Sequence, residues 1–156
     1  MSEPLPPIAP LNVLLVDDDA DHRWLTRDVL HQLDRPCRVH EAATGEEAMT
    51  MLLRAADGEQ AHPDVIFLDV DMPGMDGLAL MEQIKAHPTL RNIEVVFVTG
   101  IELTEEQTQA IRRGGAHSLV FKTRDIPAMT QALRQPLEEF FPAAAAGKKN
   151  EVTDAS

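Results

Sequence analysis

Three aspartates stand in a row at Asp17, Asp18 and Asp19, directly after the apolar run Val13 to Val16. A second acidic stretch, VIFLDVDMPGMDG, carries Asp69, Asp71 and Asp76, while Thr99 and Lys122 each follow a further apolar run. Carboxylates gathered within a few ångströms repel one another, and in isolation some take up protons to relieve the repulsion. A divalent cation removes that need. Oxygen-only donors, with neither Cys nor His in the set, favour Mg²⁺, which keeps part of its water shell and accepts phosphate oxygens. A lysine on the far side supplies a fixed positive charge. A carboxylate held between cation and lysine is shielded enough for an anionic phosphoryl group to approach and be attacked, and Asp69 is the natural nucleophile of the set.

That chemistry requires the residues to meet, and the surrounding pattern brings them together. The runs Val13 to Val16, Val65 to Leu68, Ile93 to Val98 and Leu119 to Phe121 are nearly continuous rather than alternating, as in strands covered on both faces; Cys37 to Ala42 is a weaker fifth. Between them lie helical stripes: Leu25, Val29 and Leu33; Ala48, Met51, Leu52 and Ala55; Gly77, Leu80, Met81 and Ile84; Ala110 and Ile111; then Met129, Leu133 and Leu137 after Asp125. Thr44 with Glu47 and Thr104 with Gln107 have capping-box spacing, and Gly114-Gly115 supplies a stop. Pro136 is expected to kink or end the last helix nearby. Strand and helix thus alternate five times, which implies an α/β fold, a doubly wound parallel sheet with helices on both faces. In such a sheet ligands bind outside the carboxyl ends of the strands, which is where Asp17, Asp18, Asp69, Thr99 and Lys122 all project.

Composition bounds the rest. The 156 residues are 44% hydrophobic and 26% charged, which suits one domain with a core. We divide the chain into a mobile Pro-rich arm at 1–10, a folded domain at 11–141 and a flexible tail at 142–156. Fourteen Lys and Arg against 26 Asp and Glu give a formal net charge of -12, so the long-range field repels nucleic acid and anionic membrane surfaces. The single Cys37 makes no internal disulfide, the start MSEPLPPIAP is not a signal peptide, and no apolar run nears bilayer length. A reduced, cytoplasmic protein is the expectation.

VLLVDDD, VIFLDVDMPGMDG, VVFVTG and GAHSLVFK together resemble the conserved segments of the response-regulator receiver domain, in register from Leu11 to about Phe141. The resemblance implies a flavodoxin-like (βα)5 sheet of order 2-1-3-4-5. It also implies phosphoryl transfer to Asp69 from a histidine kinase or a histidine phosphotransfer protein, followed by slow self-dephosphorylation. Carried over by position, Asp18 and Asp69 bind Mg²⁺ through side chains, Asp71 through its backbone carbonyl and Asp17 through a metal-bound water. Thr99 and Lys122 hold the phosphoryl oxygens, and the loop at Gly100 adjusts with the helix after it. Driving such a switch from mostly off to mostly on takes about 5.5 kcal/mol of differential stabilisation. Two charge-assisted contacts of roughly 1.5 to 3 kcal/mol each supply much of that. With no effector segment legible in the chain, output is expected through partner binding, a homodimer or onward relay.

Two positions depart from the family pattern. Lys122 is followed by Thr123 where the family has proline, and a cis bond before a non-proline residue costs about 3 to 4 kcal/mol, so a trans peptide and a re-aimed loop over Thr123 to Ile126 are expected. Leu119 fills the position of the family's aromatic switch, and the chain has no tyrosine. The segment KAHPTLRNIEVVFVTG and the Lys-Thr ending resemble receivers that serve phytochrome-type kinases.

Plainer roles compete at several residues. Asp19 and Asp76 are expected to cap helices rather than bind metal. Trp24 lies about 100° from the apolar stripe of its helix, which suits kinase docking or merely the flank of the core. None of the six histidines is assigned to a metal. Phe140 and Phe141 either cover the end of the core or form a dimer contact. An enzymatic rival is a haloacid dehalogenase-like phosphatase using Asp69 and Asp71, although that family carries the motif on its first strand. The second rival is a phosphorylation-independent scaffold of the same fold.

Overall fold

Apolar residues on both faces of three runs make them central strands: β1 (Leu11–Val16), β3 (Val65–Asp69) and β4 (Glu94–Thr99) are buried along almost their whole length. The edges, β2 (Cys37–Ala42) and β5 (Ser118–Phe121), keep exposed positions. These assignments come from a computed structural model that describes residues 9–142 except 101 and 117. The expected arm and tail fall largely in 1–8 and 143–156, outside the described residues.

All four strand pairs are parallel, in the order β2-β1-β3-β4-β5. The crossovers are α1 (Ala20–His31), α2 (Gly45–Ala56), α3 (Gly77–Ala86) and α4 (Glu105–Arg113), and α5 (Ile126–Phe140) closes the chain. Strand side chains alternate between faces, so each strand serves two cores. Leu14, Ile66, Leu68 and Phe97 pack under α2, α3 and α4, whereas Leu15, Phe67 and Val96 pack under α1 and α5. No helix among the described residues is long and apolar enough to cross a membrane.

Side-chain caps begin all five helices, at Asp19, Thr44, Asp76, Thr104 and Asp125. Thr104 and Gln107 form the full reciprocal box. The Thr44 pair does not: Glu47 Oε1 accepts from Ala43 N at 2.8 Å, one residue earlier than the box requires. Pro136 lies inside α5, which ends about one turn beyond it at Phe140, in line with the expected end nearby. The proline removes one amide donor, but Leu133 and Leu137 on either side of it are buried against the sheet and hold both halves of the helix in place. Beyond the helix Phe141 packs on the core; the Arg35 guanidinium lies 6.0 Å from its ring and donates to its carbonyl.

Candidate functional site

β1 and β3 end side by side, which is what brings the acids together. Val16 pairs with Leu68, so the residues that follow, Asp17 and Asp69, leave adjacent strands at one edge. Asp17 and Asp69 are buried and Asp18 is exposed, yet oxygen atoms from all three lie within 4.8 Å of one another. Asp69 is opposite Val98, which puts Thr99 one residue further along the neighbouring strand, fully buried at 0% exposure. Lys122 follows β5, and its amide donates to the Thr99 carbonyl at 2.8 Å.

The lysine reaches back across the strand ends. Its Nζ lies 2.9 Å from Asp17 Oδ2 and 3.2 Å from Asp69 Oδ2, so one ammonium bridges two carboxylates. A Cβ at Gly100 would meet the Lys122 stem at 3.4 Å, so the residue after β4 borders the lysine. Asp71 is exposed, and its amide donates to Asp69 Oδ1 at 3.2 Å. The peptide between Lys122 and Thr123 is trans, there being no cis bond among the described residues.

Backbone packing fixes the acceptor. A Cβ at Gly77 would stand 2.2 Å from the Asp69 carbonyl oxygen, so only glycine lets α3 start against the end of β3. Asp76 caps that helix through Ala79 N at 2.9 Å, and Asp19 caps α1 through Asp21 N and His22 N.

Electrostatics separate the two buried acids. Burial lifts the Asp69 carboxyl and the Asp17 charge adds to it, outweighing the pull of Lys122, so its pKa is pushed up to about 6. Burial acts on Asp17 too, but bonds from His22, Lys122 and the Asp19 amide outweigh it and take the pKa down to about 2. Lys122 is held above the usual amine range, since its two carboxylates overcome the effect of burial. One ammonium against three carboxylates leaves excess negative charge. The all-oxygen donor set fits a hard divalent cation, with Asp17, Asp18 and Asp69 placed to hold it.

Two participants were not read from the sequence. His22 Nδ1 lies 3.3 Å from Asp17 Oδ2, and Arg23 Nη1 donates to the Asp17 carbonyl at 2.6 Å while its Nε reaches Glu41 at 3.1 Å. The available signal was the Asp19 cap: it puts His22 in the first turn of α1, where side chains tilt back toward the helix N-terminus and the strand end. Trp24 is 58% exposed and lines a groove of about 430 Å³ with Asp19, Asp21, His22, Leu25, Lys122, Thr123 and Arg124. It is therefore not a flank of the core. Leu119 packs against the α2, α3 and α4 core, in register with Phe97.

Comparison with known proteins matches this arrangement. The profile described as the response regulator receiver domain covers residues 13–134. The response regulator PleD of Caulobacter vibrioides is 32% identical over 115 residues, 73% of this chain but only 23% of PleD's length. Among solved structures, the phosphorylated cyanobacterial phytochrome response regulator RcpA superposes with a TM-score of 0.75 at 26% identity, covering 88% of this chain and 97% of RcpA. The Mn²⁺-bound response regulator Rcp1 gives 0.72 at 26% identity, over 85% of this chain and 94% of Rcp1. The strand order and the position of FLDVD at the end of β3 leave no place for the haloacid dehalogenase reading. With the acidic cluster, the bridging lysine and the profile in agreement, the chain belongs to the response-regulator receiver domain family.

Proposed function

We propose that the protein is a signalling switch that accepts a phosphoryl group on Asp69 from a histidine kinase or histidine phosphotransfer protein, with Mg²⁺, and then changes what it binds. The observation that carries this reading is Lys122 spanning Asp17 and Asp69 beside an all-oxygen cluster. An Asp69 oxygen attacks phosphorus, the P–N bond of the donor phosphohistidine breaks, and its electron pair returns to the imidazole. Bound Mg²⁺ supplies charge neutralisation and orientation of phosphoryl oxygens. Asp18 and Asp69 would hold it through side chains, with Asp71 contributing its carbonyl and Asp17 acting through a water.

The chain's own residues do the remainder. Lys122 releases Asp17 and pairs with a phosphoryl oxygen, the Thr99 hydroxyl donates to another, and the Gly100 loop follows. Slow hydrolysis of the acyl phosphate returns the resting state. The phosphorylated phytochrome response regulator RcpA and the Mn²⁺-bound Rcp1, both close in fold, support a phytochrome-type kinase as donor and a divalent cation at the acids. The Trp24 groove opens beside Lys122 and suits the docking of that donor.

Incubation with ³²P-loaded candidate histidine kinases tests the reading, with Asp69→Asn as control. Mg²⁺-dependent label on the wild type and none on the variant is expected. Equal label on Asp69→Asn, or none on the wild type from any donor or from acetyl phosphate, would leave the scaffold reading instead.

A further inference from the structure

His22 is 8% exposed, and its buried Nε2 has no hydrogen-bond partner. A buried polar atom without a partner is costly, so the ring's position needs a reason on its other side. That side is the acidic site. Nδ1 lies 3.3 Å from Asp17 Oδ2 and 3.3 Å from Thr26 Oγ1, one helical turn further along α1. A bare Nδ1 lone pair would repel the carboxylate, so Asp17 assigns the ring proton to Nδ1.

Asp17 is gripped at every oxygen. Oδ1 accepts from Asp19 N at 2.9 Å, the carbonyl accepts from Arg23 at 2.6 Å, and Oδ2 is shared by His22 and Lys122. Resting on the reading above, Lys122 leaves Oδ2 when a phosphoryl group arrives. His22 stays, because α1 carries it. We propose that His22 is a positioning residue: its Nδ1–H keeps the Asp17 carboxylate aimed at the cation site once Lys122 has transferred to the phosphoryl oxygens. In the resting site the two donors duplicate one another; in the loaded site His22 alone serves Oδ2.

The two ring nitrogens are separable by substitution. An asparagine amide occupies the place of Nδ1, a glutamine amide that of Nε2, and leucine fills the volume with no donor. Calorimetric binding of Mg²⁺ to the metal-free protein, with and without beryllium fluoride as phosphoryl mimic, reads the effect. Thermal unfolding without metal controls for folding. With Mg²⁺ alone, where Lys122 still serves Oδ2, His22→Leu and His22→Gln are expected to lose less affinity than they do with beryllium fluoride. With beryllium fluoride, the Leu and Gln variants lose about tenfold in affinity, in line with other residues that orient metal-site carboxylates, and the Asn variant retains it.

Unchanged beryllium fluoride binding by His22→Leu, or rescue by Gln and not Asn, overturns the proposal while leaving the phosphoryl-acceptor reading intact. A wild type that binds Mg²⁺ but shows no cation-dependent beryllium fluoride binding overturns both. Should the leucine variant fail to fold, the Asn against Gln comparison still decides.

Discussion

Asp17 and Asp69 share a site and a lysine, yet their carboxyls move in opposite directions, down to about 2 and up to about 6. For Asp69 the folded state binds its proton more tightly than the unfolded chain, so metal-free stability falls as pH rises from the ordinary carboxyl value of 3.8 through about 6. A displacement of that size is worth at most about 3 kcal/mol, and sharing Lys122 with Asp17 reduces what either acid contributes separately. Asp17 contributes in the other sense: its stabilisation is complete above 3.8 and is lost as pH falls toward about 2. We therefore expect Asp69→Asn to raise metal-free stability at pH 7 by roughly 1–3 kcal/mol and to flatten the decline between pH 4 and 7. Urea denaturation across that range checks it; a variant less stable than the wild type at pH 7 would show that the Lys122 pairing outweighs burial and repulsion.

At the level of the elements, the anchoring of α4 stands out. Ile111 is the one buried residue of α4, against four each in α1, α2, α3 and α5. Local opening follows the amount of buried apolar surface, so hydrogen exchange of metal-free protein should be fastest in α4 among the helices, and Mg²⁺ with beryllium fluoride should slow it. Protection in α4 equal to that in α1 would count against its role as the moving element. The sequence foretold α4 through few apolar positions, just as strand runs and cap residues foretold the other elements, because period and capping are local properties. Pro136 was legible for the same reason: its local chemistry forecast an end nearby, and α5 stops at Phe140, while burial of Leu133 and Leu137 on the sheet, a tertiary matter, keeps the turn between them helical. The acids were legible by their type and position after strands. His22 and Arg23 were not, since their contacts with Asp17 depend on how α1 sits over the end of β1.

Across the whole molecule, sheet order decides what meets what. Placing β3 centrally puts Asp69 between the acids after β1 and the Thr99 and Lys122 positions of β4 and β5. It also leaves the N-terminal part of α1 and the loop after β5 as the two walls of a groove, with Trp24 exposed on one wall and Arg124 on the other. An exposed tryptophan beside the site is a candidate binding hot spot, worth about 2 kcal/mol or more when truncated. Trp24→Ala is accordingly expected to slow phosphotransfer from the cognate kinase at least about tenfold while leaving labelling by acetyl phosphate unchanged. Equal loss with both donors would place Trp24 in the site's stability rather than in docking.

The double pairing of Lys122 has a further consequence. Because an internal cation already spans Asp17 and Asp69, the resting acids are not idle, and in the proposed switch a phosphoryl group has to win Lys122 from partners the protein supplies to itself. The phosphoryl group would offer that ammonium a new anion, and a divalent cation would take over neutralising the acids it leaves. On the proposed reading Lys122 is thus a placeholder, a built-in competitor that sets the threshold an incoming phosphoryl group must exceed.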